Sequence, residues 1–221
     1  AIGLFTDSAS RKFVTVALGS GYRSHPLNIQ TDDHFFVLFD YDVMRSDLLT
    51  LTATQEALAE ASGGLQAVIT KANLAQLTDS STAGADVTNK KGWFYDFTAS
   101  GEKVLTKADI NQTRLEFLTY LPVTGNSNCS PVVGRSRAYS MCLPNGSICV
   151  SGQTSRLVDD NVMSGISGSP QTLIIRSSSG DGTLTSILNR GSDFSLGSDQ
   201  RIIPKIWPTK RWREKTRNPA D

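Results

Sequence analysis

The longest uninterrupted apolar run in this chain is only five residues, Phe35 to Phe39, and the stretches around it are short and broken by turn formers. A run of that length is a strand candidate, far below the roughly 20 residues of a membrane-spanning helix. Strand-like runs recur at Phe13 to Leu18, His34 to Tyr41, Trp93 to Thr98, Lys103 to Thr106, Arg114 to Leu121, Ala138 to Leu143 and Gln171 to Arg176. They are rich in Val, Ile, Phe, Tyr and Thr and are bounded by Gly, Pro, Asn and Asp clusters. Phe35 to Phe39 is apolar on both faces, the pattern of an inner strand covered on both sides. Arg114 to Leu121 alternates Leu115, Phe117 and Thr119 with Arg114, Glu116 and Leu118, with both faces partly apolar.

Two turns are well marked. Leu143-Pro144-Asn145-Gly146-Ser147 sets Pro where a type I turn wants φ near −65° and Gly where a bulge wants φ above zero. Ser179-Gly180-Asp181-Gly182-Thr183 reads as a hairpin tip between Thr172 to Arg176 and Thr183 to Leu188. One region departs from the β pattern. Thr52-Ala53-Thr54-Gln55 has the form of a capping box ahead of the helix formers Gln55 to Ala61, and Ala72 to Leu77 suggests a second short helical turn. Ser80 to Lys91 is polar and loop-like. The chain thus divides into a β region at 1–47, a helical and loop insertion at 48–91, a second β region at 92–203 and a basic tail at 204–221. Short antiparallel meanders of this kind suit a propeller or a sandwich, and at about 40–50 residues per blade the length corresponds to about four blades. No clean internal repeat is visible.

Apolar residues make up 38% and charged residues 19% of the chain, which indicates neither disorder nor membrane spanning. A net charge of +1 gives no basis for a nucleic-acid or membrane-surface partner of the whole chain. No secretory leader is visible at the first residues, so export rests on other features. Cys129, Cys142 and Cys149 cluster in a short window, which points to a local disulfide with one thiol left over. The expected bridge is Cys142–Cys149 across the Pro144-Asn145-Gly146 hairpin. A bulged loop would shift that register and make Cys129 the partner instead. Zinc is a poor rival, because there is no C-x-x-C and His25 and His34 lie far away in sequence.

Three segments carry a family resemblance. Val16-Ala17-Leu18-Gly19-Ser20-Gly21-Tyr22-Arg23-Ser24-His25-Pro26-Leu27 is followed by Asp33-His34-Phe35-Phe36-Val37-Leu38-Phe39-Asp40. Lys91-Gly92-Trp93-Phe94-Tyr95 leads to Ser100-Gly101-Glu102-Lys103-Val104-Leu105, Phe117-Leu118-Thr119-Tyr120-Leu121-Pro122 and Cys129. Gly134-Arg135-Ser136-Arg137-Ala138-Tyr139 leads to Gly165-Ile166, Pro170 and the closing Arg211-Trp212-Arg213-Glu214. In order and spacing this series resembles the C-terminal part of the PilC/PilY family of type IV pilus tip-associated adhesins, with His34 standing where the family usually has Arg. The resemblance spans about Phe13 to Glu214. It implies a modified β-propeller and export through the periplasm to the bacterial surface. There the family supports pilus assembly, twitching motility and adhesion at the pilus tip, with pilins or minor pilins as partners. It also implies that the remaining blades lie on another chain, or that a pilus partner caps an open edge by strand addition.

Two family features are missing from these residues. The family's calcium loop normally precedes the matched segments, and neither Gly180-Asp181-Gly182 nor Asp32-Asp33 offers enough oxygen ligands. Arg190-Gly191-Ser192-Asp193 is not an R-G-D tripeptide. No metal or cofactor is therefore expected in this chain.

Sharper readings compete with bland ones. Gly19, Gly21, Tyr22, Arg23 and His25 could suggest a phosphate loop, but no helix start with Lys-Ser/Thr follows, so a tight inter-strand turn is favoured. Asp159, Asp160 and His25 with a serine could suggest a hydrolase triad, yet no G-x-S-x-G elbow exists, so no enzyme activity is expected. In the tail, Lys205, Lys210, Arg211, Arg213, Lys215 and Arg217 interleave with Trp207 and Trp212. A strand of nucleic acid could use such a pattern. The favoured reading is a solvated tail whose Trp side chains pack on the last sheet, and Trp207, Lys210, Arg211, Trp212 and Arg213 are the candidates for docking a partner. The sequons at Asn111, Asn128 and Asn145 are assigned no role. Against the pilus-tip reading stand a stand-alone secreted glycan- or matrix-binding β module and a quinoprotein-type propeller enzyme. The enzyme would need stacking Trp residues, and only Trp93 lies outside the tail.

Overall fold

The computed structural model describes residues 1–7, 10–43, 45–62, 68–78, 83–123, 133–149, 152–176, 184–189 and 201–203. The described chain is mostly β and is arranged in three sheets, none of which closes on itself. The first contains β1 (Ile2–Thr6), β2 (Lys12–Gly19), β3 (His34–Asp40), β4 (Ala75–Leu77) and β5 (Gly92–Asp96), in the order β1-β2-β3-β5-β4. All its pairings are antiparallel except β4 against β5. The second is an antiparallel meander of β6 (Asp109–Asn111), β7 (Arg114–Leu121), β8 (Arg135–Cys142) and β9 (Leu157–Ser164). The third joins β10 (Gln171–Arg176), β11 (Leu184–Asn189) and β12 (Arg201–Ile203), again antiparallel. Arg176 pairs with Leu184, so the expected hairpin is present, although its tip at 179–183 lies outside the described residues.

The first two sheets share one apolar core. Period-two alternation sends Phe13, Ala17, Phe35, Val37, Phe39, Trp93 and Tyr95 to the inner side of the first sheet. Leu115, Phe117, Tyr139 and Met141 meet them from the second. Phe35 stacks on Phe117 at 3.9 Å and Phe117 on Tyr139 at 5.1 Å. The Trp93 indole N–H, which would be orphaned in such a core, donates to Leu143 O at 2.9 Å.

The insertion behaves partly as its sequence predicts. Helix α1 (Ala53–Ala61) opens on the expected capping box, with Thr52 N–H donating to Gln55 Oε1 and Gln55 N–H to Thr52 Oγ1. The expected helical turn at Ala72 to Leu77 is corrected. Lys71–Asn73 forms one 3-10 turn, capped reciprocally by Thr70 and Asn73, and Ala75–Leu77 is β4. Ala75 and Leu77 are buried while Gln76 is exposed, so alternation against β5 prevails over helix propensity.

Three further expectations need correcting. Lys103 to Thr106 is no ladder strand: it makes one bridge, Lys103 with Tyr120, because its next residue hydrogen-bonds Ser20, just beyond β2. β3 is central in its sheet, but only its Phe35, Val37 and Phe39 face is packed, whereas Phe36 and Leu38 on the other face stay partly exposed. The Pro144-Asn145-Gly146 loop is bulged, with Gly146 at φ +70 and Cys142 N–H bonded to Ser147 O. The bulge does not displace the Cys142–Cys149 pairing. Beyond Ser147 the chain leaves the ladder, and Cys149 swings back to bridge Cys142 with Cα atoms 5.1 Å apart.

Candidate functional site

Between β2 and β3 the chain makes a loop, Ser20 to Asp33, whose base is closed by one serine. Ser20 N–H donates to His34 O at 2.8 Å, and its hydroxyl donates to Asp33 Oδ1 and accepts from His34 N–H, both at 2.7 Å. A loop of this length with joined ends is an Ω-loop.

The segment Gly101 to Leu105 seats this loop on the second sheet. Lys103 N–H and C=O pair with Tyr120 of β7, and Val104 N–H donates to Ser20 O at 3.0 Å. The Lys103 ammonium, whose side chain is fully buried, donates to Gly101 O and to Asn28 O inside the loop. Burial lowers the Lys103 pKa, and the nearby Asp33 carboxylate opposes that shift. The approach is too close for larger residues: a Cβ at Gly19 would stand 2.1 Å from Val104 Cβ.

Glu102, one residue before, turns the opposite way, under the second sheet. It is 1% exposed. Its carboxylate accepts from Thr119 Oγ1 and from Tyr139 OH at 2.8 Å and pairs with Arg137 at 2.5 Å. Arg137 Nε stands 2.7 Å from Asp160 Oδ1, off the N–H axis, and Asp160 also pairs with Arg135 at 2.9 Å. Burial raises the Glu102 pKa, and its hydrogen bonds and Arg137 oppose the shift. Burial first and the Glu102 charge second push the Tyr139 phenol far up, so it stays a donor.

The outer surface of the loop is what a partner would meet. Tyr22 and Leu27 are 61% and 59% exposed, and the His25 ring stands edge-on to Tyr22 at 4.9 Å. Ser24, His25, Pro26, Leu27, Asn28 and Gln30 line an open cavity of about 530 Å³. Its hydrogen-bonding groups and apolar patches, held from below by Lys103 and Ser20, form a concave surface that a ligand or a partner's side chain can enter.

The residues singled out from sequence are spread apart. Cys142 and Cys149 form the disulfide, while Cys129, Trp207, Lys210, Arg211, Trp212 and Arg213 lie outside the described residues. His25 belongs to the loop, whereas Asp160 is held on β9 by Arg135 and Arg137, and Asp159 accepts from Asn161 N–H. Among the described residues no three His, Cys, Asp or Glu side chains gather as metal ligands. His34, in the position where Arg was expected, sets Nδ1 2.6 Å from Asp96 Oδ1 and Nε2 2.9 Å from Lys71 Nζ. Sequence reasoning assigned no role to Glu102 or Lys103. Two adjacent charges in a turn-flanked segment read as solvated, and no local signal marks their burial. No family model, curated protein or solved structure matches the chain.

Proposed function

We propose that this chain is a non-catalytic, exported surface protein of the PilC/PilY type, acting at the type IV pilus tip in pilus assembly, twitching motility and adhesion. One observation carries the reading: all three stretches that bear the resemblance meet at a single junction. Gly19 and Ser20 come from the first, Gly101 to Val104 from the second, and Arg137 and Tyr139 from the third. Residues remote in sequence that pack as one unit are what a pattern fixed by architecture requires. The Cys142–Cys149 bridge supports export, since such bonds persist in oxidising compartments.

On this reading the three consecutive sheets are blades of a modified propeller. The partly exposed apolar side of the first sheet is where a further blade, on another chain, would rest. Pilins or minor pilins are the partners. The test is affinity capture of the tagged chain from cross-linked piliated cells, alongside deletion of its gene. Pilins or minor pilins in the capture and loss of twitching are expected. A capture without pilins, together with unchanged piliation and twitching, would overturn the proposal.

The exposed Tyr22 and Leu27 beside this cavity favour one second reading, a stand-alone glycan- or matrix-binding module. Binding to a glycan array that is lost in Tyr22→Ala, without any pilin captured, would select it.

A further inference from the structure

On the side of the first sheet away from the shared core, a charged cluster stands where β3, β5 and the turn before β4 meet. His34 opens β3 and shares that side with Phe36. Its ring is edge-on to Phe36 at 5.7 Å and to Phe94 at 5.9 Å. Nδ1 stands 2.6 Å from Asp96 Oδ1, and Nε2 stands 2.9 Å from Lys71 Nζ. Lys71 belongs to the 3-10 turn, and its ammonium sits 4.4 Å above the centre of the Phe94 ring. It is also 3.8 Å from Asp96 Oδ1, while the Gln76 amide of β4 donates to Asp96 Oδ2. Phe94 lies between the core residues Trp93 and Tyr95 and so points to this outer side, yet it is only 6% exposed. Phe36 and Leu38 on the same side stay partly exposed. Lys71 is the side chain that lies across the Phe94 ring face.

An ammonium donates and cannot accept, so the contact between Lys71 and His34 requires an imidazole with a bare Nε2. The proton of the neutral ring then sits on Nδ1, the nitrogen beside the Asp96 carboxylate. We infer that His34 is a proton-operated latch: neutral, it holds Lys71 over Phe94, and protonated, it releases Lys71 and opens Phe94 to solvent. Histidine is the side chain that ordinarily changes charge between pH 5 and 8. A proton added at Nε2 would face the ammonium donor to donor, with two positive charges in near contact. Asp96 does not hold the pair together, because the charged ring is its nearer cation at 2.6 Å against 3.8 Å for Lys71. The Lys71 side chain is 50% exposed and the His34 side chain 20%, so Lys71 is the one with room to leave. The titratable and charged groups around the ring are Asp96 from β5, Lys71 from the turn and Asp33, the preceding residue. Asp33 is turned to the Ser20 hydroxyl, which stands at the β2 side of His34, and β4 presents only the uncharged Gln76. Acidification therefore enlarges the apolar outer side of the first sheet by one aromatic ring. This inference does not depend on the pilus-tip reading, and either can fail alone.

NMR of the full chain with isotope-labelled histidine and lysine, taken from about pH 8 to about pH 5, tests it alongside binding of an apolar-surface dye. The chain has two histidines, so a His25→Gln background leaves the His34 ring as the one signal. At the alkaline end the ring is expected as the tautomer with its proton on Nδ1. On acidification the His34 and Lys71 side-chain signals should shift together with one midpoint, and dye binding should rise over the same interval. His34→Gln cannot gain the charge and should abolish both the Lys71 shift and the rise in dye binding. Lys71→Met keeps an unbranched side chain at the position but removes the repelling charge, so the His34 ring should still titrate while dye binding stays level. A proton on Nε2 at the alkaline end would overturn the inference. So would a Lys71 signal that does not follow the ring, or a rise in dye binding that persists in His34→Gln.

Discussion

Glu102 accepts from Thr119, Tyr139 and Arg137 with almost no exposure, so its removal strands three donors at once. Glu102→Ala should lower the unfolding free energy by about 3 kcal/mol or more, the scale of breaking a buried pair from one side, as read by urea titration. Its pKa adds a signature of pH. Burial raises the folded value above the ordinary 4.5, so the folded chain holds this proton more tightly than the unfolded one. The stability from that proton is complete below the ordinary value and is lost as pH rises through the raised one. Glu102→Gln cannot titrate. Relative to this variant, wild-type stability should decline on going from about pH 4.5 toward neutrality, and a constant difference across that window would contradict the assignment.

At the scale of an element, the hairpin after β8 depends on one covalent bond, one hydrogen bond and one backbone conformation. Gly146 takes φ +70, Leu143 O holds the Trp93 indole, and Cys142–Cys149 ties the far side. The bridge closes a loop of sequence separation 7. Chain entropy then gives it about 2.5 kcal/mol of stabilisation. Replacing Cys142 and Cys149 together by Ser should lower stability by roughly 2–3 kcal/mol in denaturant titration, and an unchanged midpoint would assign the bridge no structural weight. The wrong expectation that a bulge would recruit Cys129 came from treating the hairpin as continuous. Turn type fixes register only as long as pairing continues, and here it stops at Ser147.

The first sheet has one packed apolar face and, among the described residues, a second that is apolar and partly exposed. Ile2, Leu4, Val14, Val16, Leu18, Phe36 and Leu38 share that second side by register, and Ile2, Leu4 and Leu18 are the most exposed of them. A patch of this kind is uncommon on a solitary globule. The folded chain should bind an apolar-surface dye at neutral pH. Leu18→Lys combined with Val16→Thr should reduce that binding while shifting stability by only about 0.5–1 kcal/mol, as expected of changes outside the packed core. Dye binding unaffected by these substitutions would move the apolar surface elsewhere.

Local rules were enough to determine the β class, the capping box at Thr52 and Gln55 and the turn at Pro144 to Gly146, whereas only packing decided which face of Phe35 to Phe39 is covered. Each of the first three depends on spacing or turn chemistry that is complete within a few residues. Tertiary structure alone decided that Ala75–Leu77 becomes a strand, since only β5 beside it supplies the ladder. It also decided that Lys103 to Thr106 does not, because Lys103 and Val104 are claimed by different parts of the fold. The junction itself was the least legible feature. Glu102 and Lys103 are adjacent in sequence and look like solvated charges, and their burial follows from partners at Asn28, Thr119, Arg137 and Tyr139 that only folding brings within hydrogen-bond range.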